Sequence, residues 1–291
     1  MTIRQVFSVI ALLGLAACTT AEPEAPIADP NQTKLAGILA AQPEEVQARY
    51  SQRNPAETIA FVGIEPGMTV VEALPGGGWY SKILLPYIGP EGRLIGANYA
   101  DELWPLFGFL SEEQLEGLKS WTTTWAETAS GWSNGEVPVS AFTFSNLPED
   151  MQGTADVVLF VRAMHNLARF DDQGPFLTDA IADAYSVLKP GGVVGVVQHH
   201  ARDEMPDSWA TGANGYLKKG FLVERFESAG FELVGDSDIN ANPKDQPTTE
   251  DIVWRLPPSY RFAREDEEMR KALDEIGESN RMTLKFRKPA A

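Results

Sequence analysis

The sequence contains little cysteine, histidine or basic charge. Its 291 residues include one cysteine, Cys18, and three histidines, which excludes an intramolecular disulfide and a cysteine-based zinc site. Lys and Arg total 24 against 41 Asp and Glu, a net charge of −17. A chain this acidic is not expected to bind nucleic-acid phosphates or to be drawn to an anionic membrane surface. We therefore predict no metal centre and no nucleic-acid partner.

The apolar run near the N-terminus is too short to cross a bilayer as a helix. Residues 6–17 are mostly apolar and follow a short segment whose one charge is Arg4, which is typical of a secretory signal. The run ends in Leu15-Ala16-Ala17-Cys18, which resembles the lipobox of bacterial lipoproteins, where the cysteine is lipidated. Ordinary signal cleavage beside a chance cysteine is the alternative.

This pattern predicts three segments. Residues 1–17 are expected to be a lipoprotein signal peptide, residues 18–32 a flexible tether rich in Pro, Ala and Glu, and residues 33–291 one domain. Lipidation at Cys18 would hold the protein on the periplasmic side of a bacterial membrane through its acyl chains alone. The membrane contact is then the lipid anchor and not a basic patch.

Short apolar runs alternate with helix-like segments along the rest of the chain. Helices are predicted over residues 33–60, interrupted by Pro43 and Pro55, and over 79–88, 178–188 and 219–229. Strands are predicted at residues 68–74, 92–97, 155–161, 193–198, 231–234 and 282–286. This alternation predicts an α/β fold: a Rossmann-like, doubly wound, mostly parallel sheet with helices on both faces.

Two long segments do not fit the alternation. Residues 99–138 hold four of the seven tryptophans, and residues 237–280 hold four prolines between the last two predicted strands. Long insertions in compact domains are often functional. They predict either a lid over a ligand or extra packing on the sheet edges, and a tryptophan-rich lid would favour a flat or apolar ligand.

A glycine-rich loop follows the first predicted strand. The strand carries Glu72 and continues into Pro75-Gly76-Gly77-Gly78 and then a helix. Glycine lets backbone approach a ligand closely, and the helix start presents free N–H groups. In open α/β sheets the ligand crevice lies outside the carboxyl ends of the strands. Three glycines could also form a structural turn, so the acid in the strand is what makes the pattern more specific.

The stretch Val70–Gly78 resembles the first motif of the class I S-adenosylmethionine-dependent methyltransferases. The turn Leu188-Lys189-Pro190-Gly191-Gly192 before a strand, and Asp156 opening another strand, are similar to further motifs of that family. The resemblance covers about residues 50–236 and the terminal strand, and it implies the class I methyltransferase fold.

More narrowly, the chain resembles a family of predicted methyltransferases, often secreted, whose substrate is unassigned. The marks of that family are the Pro75–Tyr80 loop, the Arg162-x-x-His165 segment, His199 at a strand end, and Gly277–Met282 near the C-terminus. The resemblance implies methyl transfer to a small-molecule acceptor.

The resemblance also implies a cofactor site for S-adenosyl-L-methionine. The residues expected to contact it are Glu72, Pro75, Gly76, Gly77, Gly78 and Asn98. Two positions depart from the family pattern. Leu74 replaces the first family glycine, and Asn98 stands where an acid normally accepts the ribose hydroxyls. An amide oxygen accepts hydrogen bonds more weakly than a carboxylate.

His199 and His165 are the candidate catalytic bases, in that order. Both come just after predicted strands, on the crevice side, and an unperturbed imidazole titrates near neutral pH. Each could instead be a histidine that hydrogen-bonds its own loop, whereas His200 is expected on the surface. Arg162 could hold a carboxylate or form a structural ion pair.

Three alternatives to methyl transfer remain open. Gly131-Trp132-Ser133-Asn134-Gly135 matches the G-x-S-x-G elbow of serine hydrolases, although no strand is predicted before it and no helix after it. Gly76, Gly78 and Ser81 approach the G-x-G-x-x-G pattern of nucleotide-dependent oxidoreductases. Because S-adenosylmethionine is made in the cytoplasm, an exported chain could also be a catalytically silent binding lipoprotein.

Overall fold

A computed structural model describes residues 29–290. The predicted signal peptide, Cys18 and most of the predicted tether lie outside these residues. The first helix begins at Pro30, where the Asp29 side chain accepts the backbone N–H of Asn31. The last three residues of the predicted tether are therefore helical.

Seven strands and eleven α-helices follow one another along the described residues. The strands are β1 Thr69–Ala73, β2 Arg93–Asn98, β3 Val139–Thr143, β4 Ala155–Val161, β5 Leu188–His199, β6 Glu232–Ser237 and β7 Arg281–Arg287. The helices are α1 Pro30–Ala40, α2 Glu44–Gln47, α3 Tyr50–Arg53, α4 Pro55–Val62, α5 Ser81–Ile88, α6 Glu112–Leu118, α7 Trp121–Gly131, α8 Met164–Arg169, α9 Phe176–Val187, α10 Lys219–Ser228 and α11 Glu267–Ile276.

The strands form one sheet in the order β3-β2-β1-β4-β5-β7-β6. Strands β1 to β5 run parallel, and β7 is inserted antiparallel between β5 and β6. The predicted doubly wound, mostly parallel sheet is confirmed. Its carboxyl-end edge therefore carries the loops after β1, β2, β4 and β5 together with the residues that precede β7.

Two hydrophobic cores lie on opposite faces of the sheet. Alternate residues of a strand belong to different cores, as Val157 and Val158 of β4 show, because side chains in a strand point to opposite faces. Helices α1, α4, α5 and α7 cover one face, and α8, α9 and α10 cover the other. Among residues 29–290, no helix has both the length and the apolar character that crossing a bilayer requires.

The tryptophan-rich segment, residues 99–138, packs on the sheet. It forms a 3-10 helix (Asp101–Phe107), α6 and α7. Trp125 lies against Gly96 of β2 so closely that a Cβ added there would be 2.5 Å from the indole ring. The segment's tryptophans belong to the two cores or pack against them. For this segment the structure favours edge packing over the lid.

Candidate functional site

The carboxyl-end edge of the sheet brings together chain segments that are far apart in sequence. His199, the last residue of β5, pairs with Arg281, the first residue of β7. The Gly277–Met282 motif therefore lies beside the end of β5. The loop after β1 and helix α8 after β4 complete this edge. The four motifs that resemble the narrower family thus all lie at the carboxyl-end edge of the sheet.

The glycine loop has the backbone geometry expected for close ligand approach. Gly76 and Gly78 have φ of +52° and +77°, and Gly76 and Gly77 are exposed. A Cβ on Gly77 would meet nothing within 4 Å, whereas one on Gly78 would lie 2.3 Å from the Trp132 ring. Leu74 has a φ of +53°, a left-handed conformation that favours glycine. The backbone at this position thus has a conformation that suits glycine, but it carries a leucine side chain.

Glu72 lies beneath the loop and connects β1 to α5. Its buried carboxyl accepts a 2.5 Å hydrogen bond from the Ser81 hydroxyl at the start of α5. Burial raises the pKa of Glu72 to about 8, although the Ser81 hydrogen bond opposes this rise. The carboxyl is therefore largely protonated at neutral pH. Its hydrogen bond with Ser81 joins the two elements between which the glycine loop lies.

Asn98 ends β2 as predicted, but its amide oxygen already accepts a hydrogen bond. The backbone N–H of Tyr99 donates to that oxygen at 2.9 Å. The Tyr99 hydroxyl in turn accepts a 2.8 Å hydrogen bond from the Asn166 amide on α8. The end of β2 is thus joined to α8, and Asn98 has less acceptor capacity for a ribose than the family acid.

A cavity of about 350 Å³ opens at the ends of β1, β4 and β5. One wall is polar and comes from Arg162, His165, Asn166, His199 and Ser279. The rest of the lining comes mainly from residues 253–259, including Trp254, Pro257 and Pro258. The second long insertion, residues 237–280, therefore covers a cavity, as the lid alternative predicts for it. Leu74 joins this cavity to the glycine loop.

The two candidate bases meet in this cavity, with ring centroids 5.3 Å apart. His199 Nδ1 lies 2.5 Å from the Ser279 hydroxyl oxygen, and His165 Nδ1 lies 3.4–3.5 Å from the Gln198 amide. Burial lowers the pKa of His165 to about 4. The pKa of His199 is well below its ordinary value because of burial, reinforced by His165 and Arg162. Both imidazoles are therefore neutral at pH 7 and able to accept a proton.

Arg162 lies in the same cavity with a φ of +56°. A left-handed backbone at a non-glycine residue is costly and recurs at functional sites. Burial lowers the pKa of Arg162, and the nearby Glu278 carboxylate opposes that shift. Glu278 itself is held by Arg53, with Nε 3.0 Å from Oε1, and by Arg281, with Nη1 3.2 Å from Oε2.

The predicted site residues do not all lie in this cavity. His165 and His199 line it, while Glu72, Gly76, Gly77, Gly78 and Asn98 do not. Pro75 is buried at the start of the loop. Sequence reasoning missed Asn166, Trp254 and the contact of Ser279 with His199. The Gly277–Met282 motif was the available signal for that contact, but its position beside β5 follows from the antiparallel pairing of β7.

The structure argues against the hydrolase motif. Ser133 lies in the turn after α7, where its hydroxyl donates to the Ser130 carbonyl at 3.2 Å. A nucleophile elbow requires a strand before the serine and a helix after it. Here helix α7 precedes Ser133 and β3 follows, so the local geometry of an elbow is missing.

Comparison with known proteins identifies the fold. No protein-family model and no curated protein matches the chain. Among solved structures, the [4+2]-cyclase SpnF is 16% identical, with a TM-score of 0.54 over 89% of this chain and 93% of that one. A protein described as a methyltransferase, in complex with the Haloferax volcanii Trm112 methyltransferase activator, is 15% identical, with a TM-score of 0.50 over 89% and 98%.

A third neighbour is the 1,6-didemethyltoxoflavin-N1-methyltransferase of Burkholderia thailandensis, solved with its substrate and S-adenosylhomocysteine. It is 15% identical, with a TM-score of 0.44 over 92% of this chain and 94% of that one. The strand order and the likeness to the first two structures show that the chain has the class I methyltransferase fold. Identities this low establish the fold, and the reaction must be argued from the site itself.

Proposed function

We propose that the protein transfers a methyl group from S-adenosylmethionine to a small-molecule acceptor. The observation that carries the proposal is a cavity joined to the glycine loop through Leu74 and lined by two neutral histidines. The fold alone would not suffice, because one similar structure is that of a [4+2]-cyclase. A methyl acceptor in this cavity would lie at the edge of the sheet where open α/β proteins bind ligands.

The residues of the glycine loop fit the cofactor in part. Gly76 and Gly77 are exposed, with open space around Gly77 for a ligand to approach the backbone. Glu72 supports the loop through Ser81. Asn98 is the expected ribose contact and would share its oxygen with the Tyr99 N–H. When bound, the cofactor would supply an electrophilic methyl group on a sulfonium centre.

The chain's own residues would position the acceptor and take its proton. Ser279 can fix the His199 ring by accepting from Nδ1–H, which leaves Nε2 free to accept a proton. For a hydroxyl acceptor, His199 would take the hydroxyl proton while the acceptor oxygen receives the methyl group that the bound donor would supply. His165 is the second candidate for this role.

Calorimetric titration with S-adenosylmethionine tests the proposal. Gly77→Val should weaken binding at least tenfold, because the new side chain occupies the space that a ligand needs next to the backbone. Gly37→Val is the matched control, since a Cβ there also meets nothing within 4 Å and Gly37, in helix α1, belongs neither to the glycine loop nor to the cavity lining. Failure of the wild-type protein to bind, or equal binding by both variants, would reject this cofactor site.

A catalytically silent binding protein is the second candidate function. Two observations favour it: a leucine stands in the left-handed position at 74, and the Asn98 oxygen is already engaged. Both reduce the fit to the cofactor. This candidate predicts that small molecules occupy the cavity while no acceptor becomes methylated, which a screen with labelled methyl donor would distinguish.

We also propose that the protein is a lipoprotein on the periplasmic side of a bacterial membrane. Support comes from the sequence alone, from the apolar run of residues 6–17 and from Cys18 after Leu15-Ala16-Ala17. The membrane contact would be made by the lipid.

A further inference from the structure

Four arginines lie close to a single carboxylate at the edge of the cavity. Glu278 is the one carboxylate in the cavity lining, and it is shared by Arg53, Arg281 and Arg49, with nitrogen–oxygen distances of 3.0, 3.2 and 3.5 Å. Arg162 adds a fourth guanidinium. Arg162 and Glu278 are the two charged residues of the cavity lining, and the other three arginines bind Glu278 from outside the lining.

Arg162 is the cation that this arrangement leaves without an anion. Within residues 29–290 its guanidinium forms no hydrogen bond and no ion pair, although it is partly buried. Its charge is opposed by burial and by Arg281 and Arg49, and is supported by Glu278, which is already held by three other arginines. A desolvated guanidinium without a partner is costly, so an anionic ligand would remove that cost.

The remaining lining of the cavity defines the rest of such a ligand. His165, His199 and Asn166 supply neutral polar groups. Trp254, Pro257 and Pro258 supply apolar surface, and the Trp254 ring packs edge-on against the His165 ring, with centroids 5.7 Å apart. A volume of about 350 Å³ suits a small organic molecule. An arginine also binds a carboxylate bidentately, which fixes its orientation.

We propose that the methyl acceptor is a small carboxylic acid with a flat, apolar body. Its carboxylate would bind Arg162, and its body would lie against the apolar part of the lining, which Trp254, Pro257 and Pro258 supply. The proposal rests on the methyl-transfer function above, and it adds the substrate class. It also accounts for the left-handed backbone at Arg162, because strained backbone conformations recur at residues that bind ligands.

Ligand-observed NMR with 4-hydroxybenzoate and its neutral amide, 4-hydroxybenzamide, tests the carboxylate site without any cofactor. We expect the acid to bind at least tenfold more tightly than the amide. Arg162→Gln should weaken acid binding at least tenfold and leave amide binding unchanged, while Arg162→Lys keeps part of the affinity because it keeps the charge. Arg169→Gln, an exposed arginine outside the cavity, is the matched control. Equal binding of acid and amide overturns the proposal.

A parallel titration with S-adenosylmethionine separates two sources of the carboxylate. Arg162→Gln should change cofactor affinity less than twofold if Arg162 holds the acceptor. A loss of cofactor affinity with unchanged acid binding would assign Arg162 to the donor's own carboxylate and overturn the proposal. Acid binding by a wild-type protein that does not bind the cofactor would instead reject methyl transfer and leave the carboxylate site standing. Thermal melting of both variants checks that they fold.

Discussion

Single buried side chains set the protonation states at this site. Glu72 is held protonated and His165 and His199 are held neutral, in each case chiefly because burial disfavours the charged form. These three side chains are therefore uncharged at neutral pH. The charged side chains at the same edge of the sheet are the arginines and Glu278. The shifted pKa values should affect how the free energy of unfolding and the rate of methyl transfer vary with pH.

Glu72→Gln should stabilise the protein at neutral and alkaline pH. The pKa of Glu72 is about 8 in the folded protein against an ordinary 4.5. Below 4.5 both states are protonated, but above it the unfolded chain releases a proton that the folded chain keeps, so stability falls as pH rises towards 8. A glutamine removes that loss, about 2–3 kcal/mol at pH 7. Melting curves at pH 5 and pH 8 should show the variant's advantage at pH 8, and an equal difference at both would contradict this assignment.

Methyl transfer should not decline near pH 6.5 as it would with an ordinary histidine base. The pKa of His165 is about 4 and that of His199 is also lowered, so the neutral imidazoles persist as pH falls. Single-turnover rates should stay level from pH 8 to about pH 5. His199→Ala should reduce the rate about 10²-fold, the lower end of the range for a general base, because a weakly basic imidazole contributes less. His200→Ala, outside the cavity lining, should leave the rate unchanged. If His199→Ala and His165→Ala both transfer methyl groups at the wild-type rate, neither histidine is the base.

The elements that shape the site are β7 and the residues before it. Strand β7 lies between β5 and β6, so Glu278 and Ser279 reach the cavity from the C-terminal part of the chain. Glu278 then fixes helix α3 through Arg53 and the start of β7 through Arg281. Glu278 thus joins the start of β7 to a helix whose Arg53 lies 225 residues before Glu278 in sequence.

Glu278→Gln should destabilise the protein strongly. The variant leaves the buried Arg53 and Arg281 without a counter-charge, which costs about 3 kcal/mol or more. Glu232→Gln is the matched control, because it removes the partner of Arg287 at the other end of β7, where both side chains are about half exposed. That exposed pair should contribute less than about 1 kcal/mol. Denaturant unfolding measures both, and equal losses would show that the buried cluster is no stronger than a surface pair.

At the scale of the whole molecule, the sequence predicted those parts of the fold that form apolar runs. Six of the seven strands were expected, but β3 was missed because only Phe142 of its five residues is buried. For the tryptophan-rich segment the sequence left a lid and edge packing open, because its pattern cannot show that Trp125 lies against Gly96, the contact that favours edge packing. The contact of His199 with Ser279 depends on strand pairing across 80 residues, which no local spacing reveals.

Export and lipidation remain predictions of the whole chain, because Cys18 lies outside the described residues. Cys18→Ala should leave an unprocessed precursor without acyl groups, since the lipoprotein peptidase requires the modified cysteine. Mass spectrometry of the protein from membranes measures the N-terminus and its acyl chains. An unmodified N-terminus at another residue in the wild-type protein would refute lipidation. Thr19→Ala, which keeps Leu15-Ala16-Ala17 and Cys18, is the matched control and should be processed normally.

The central position of β7 also affects how the protein is made. A ribosome-bound chain that ends before residue 281 has β5 with an open edge and β6 with no neighbour, since both pair with β7. Unpaired edges of this kind invite aggregation, and pairing between segments distant in sequence is slow. Of the seven described strands, the last one synthesised is therefore the one that completes the sheet, and a nascent chain cannot form the finished pocket until residues 281–287 have left the ribosome.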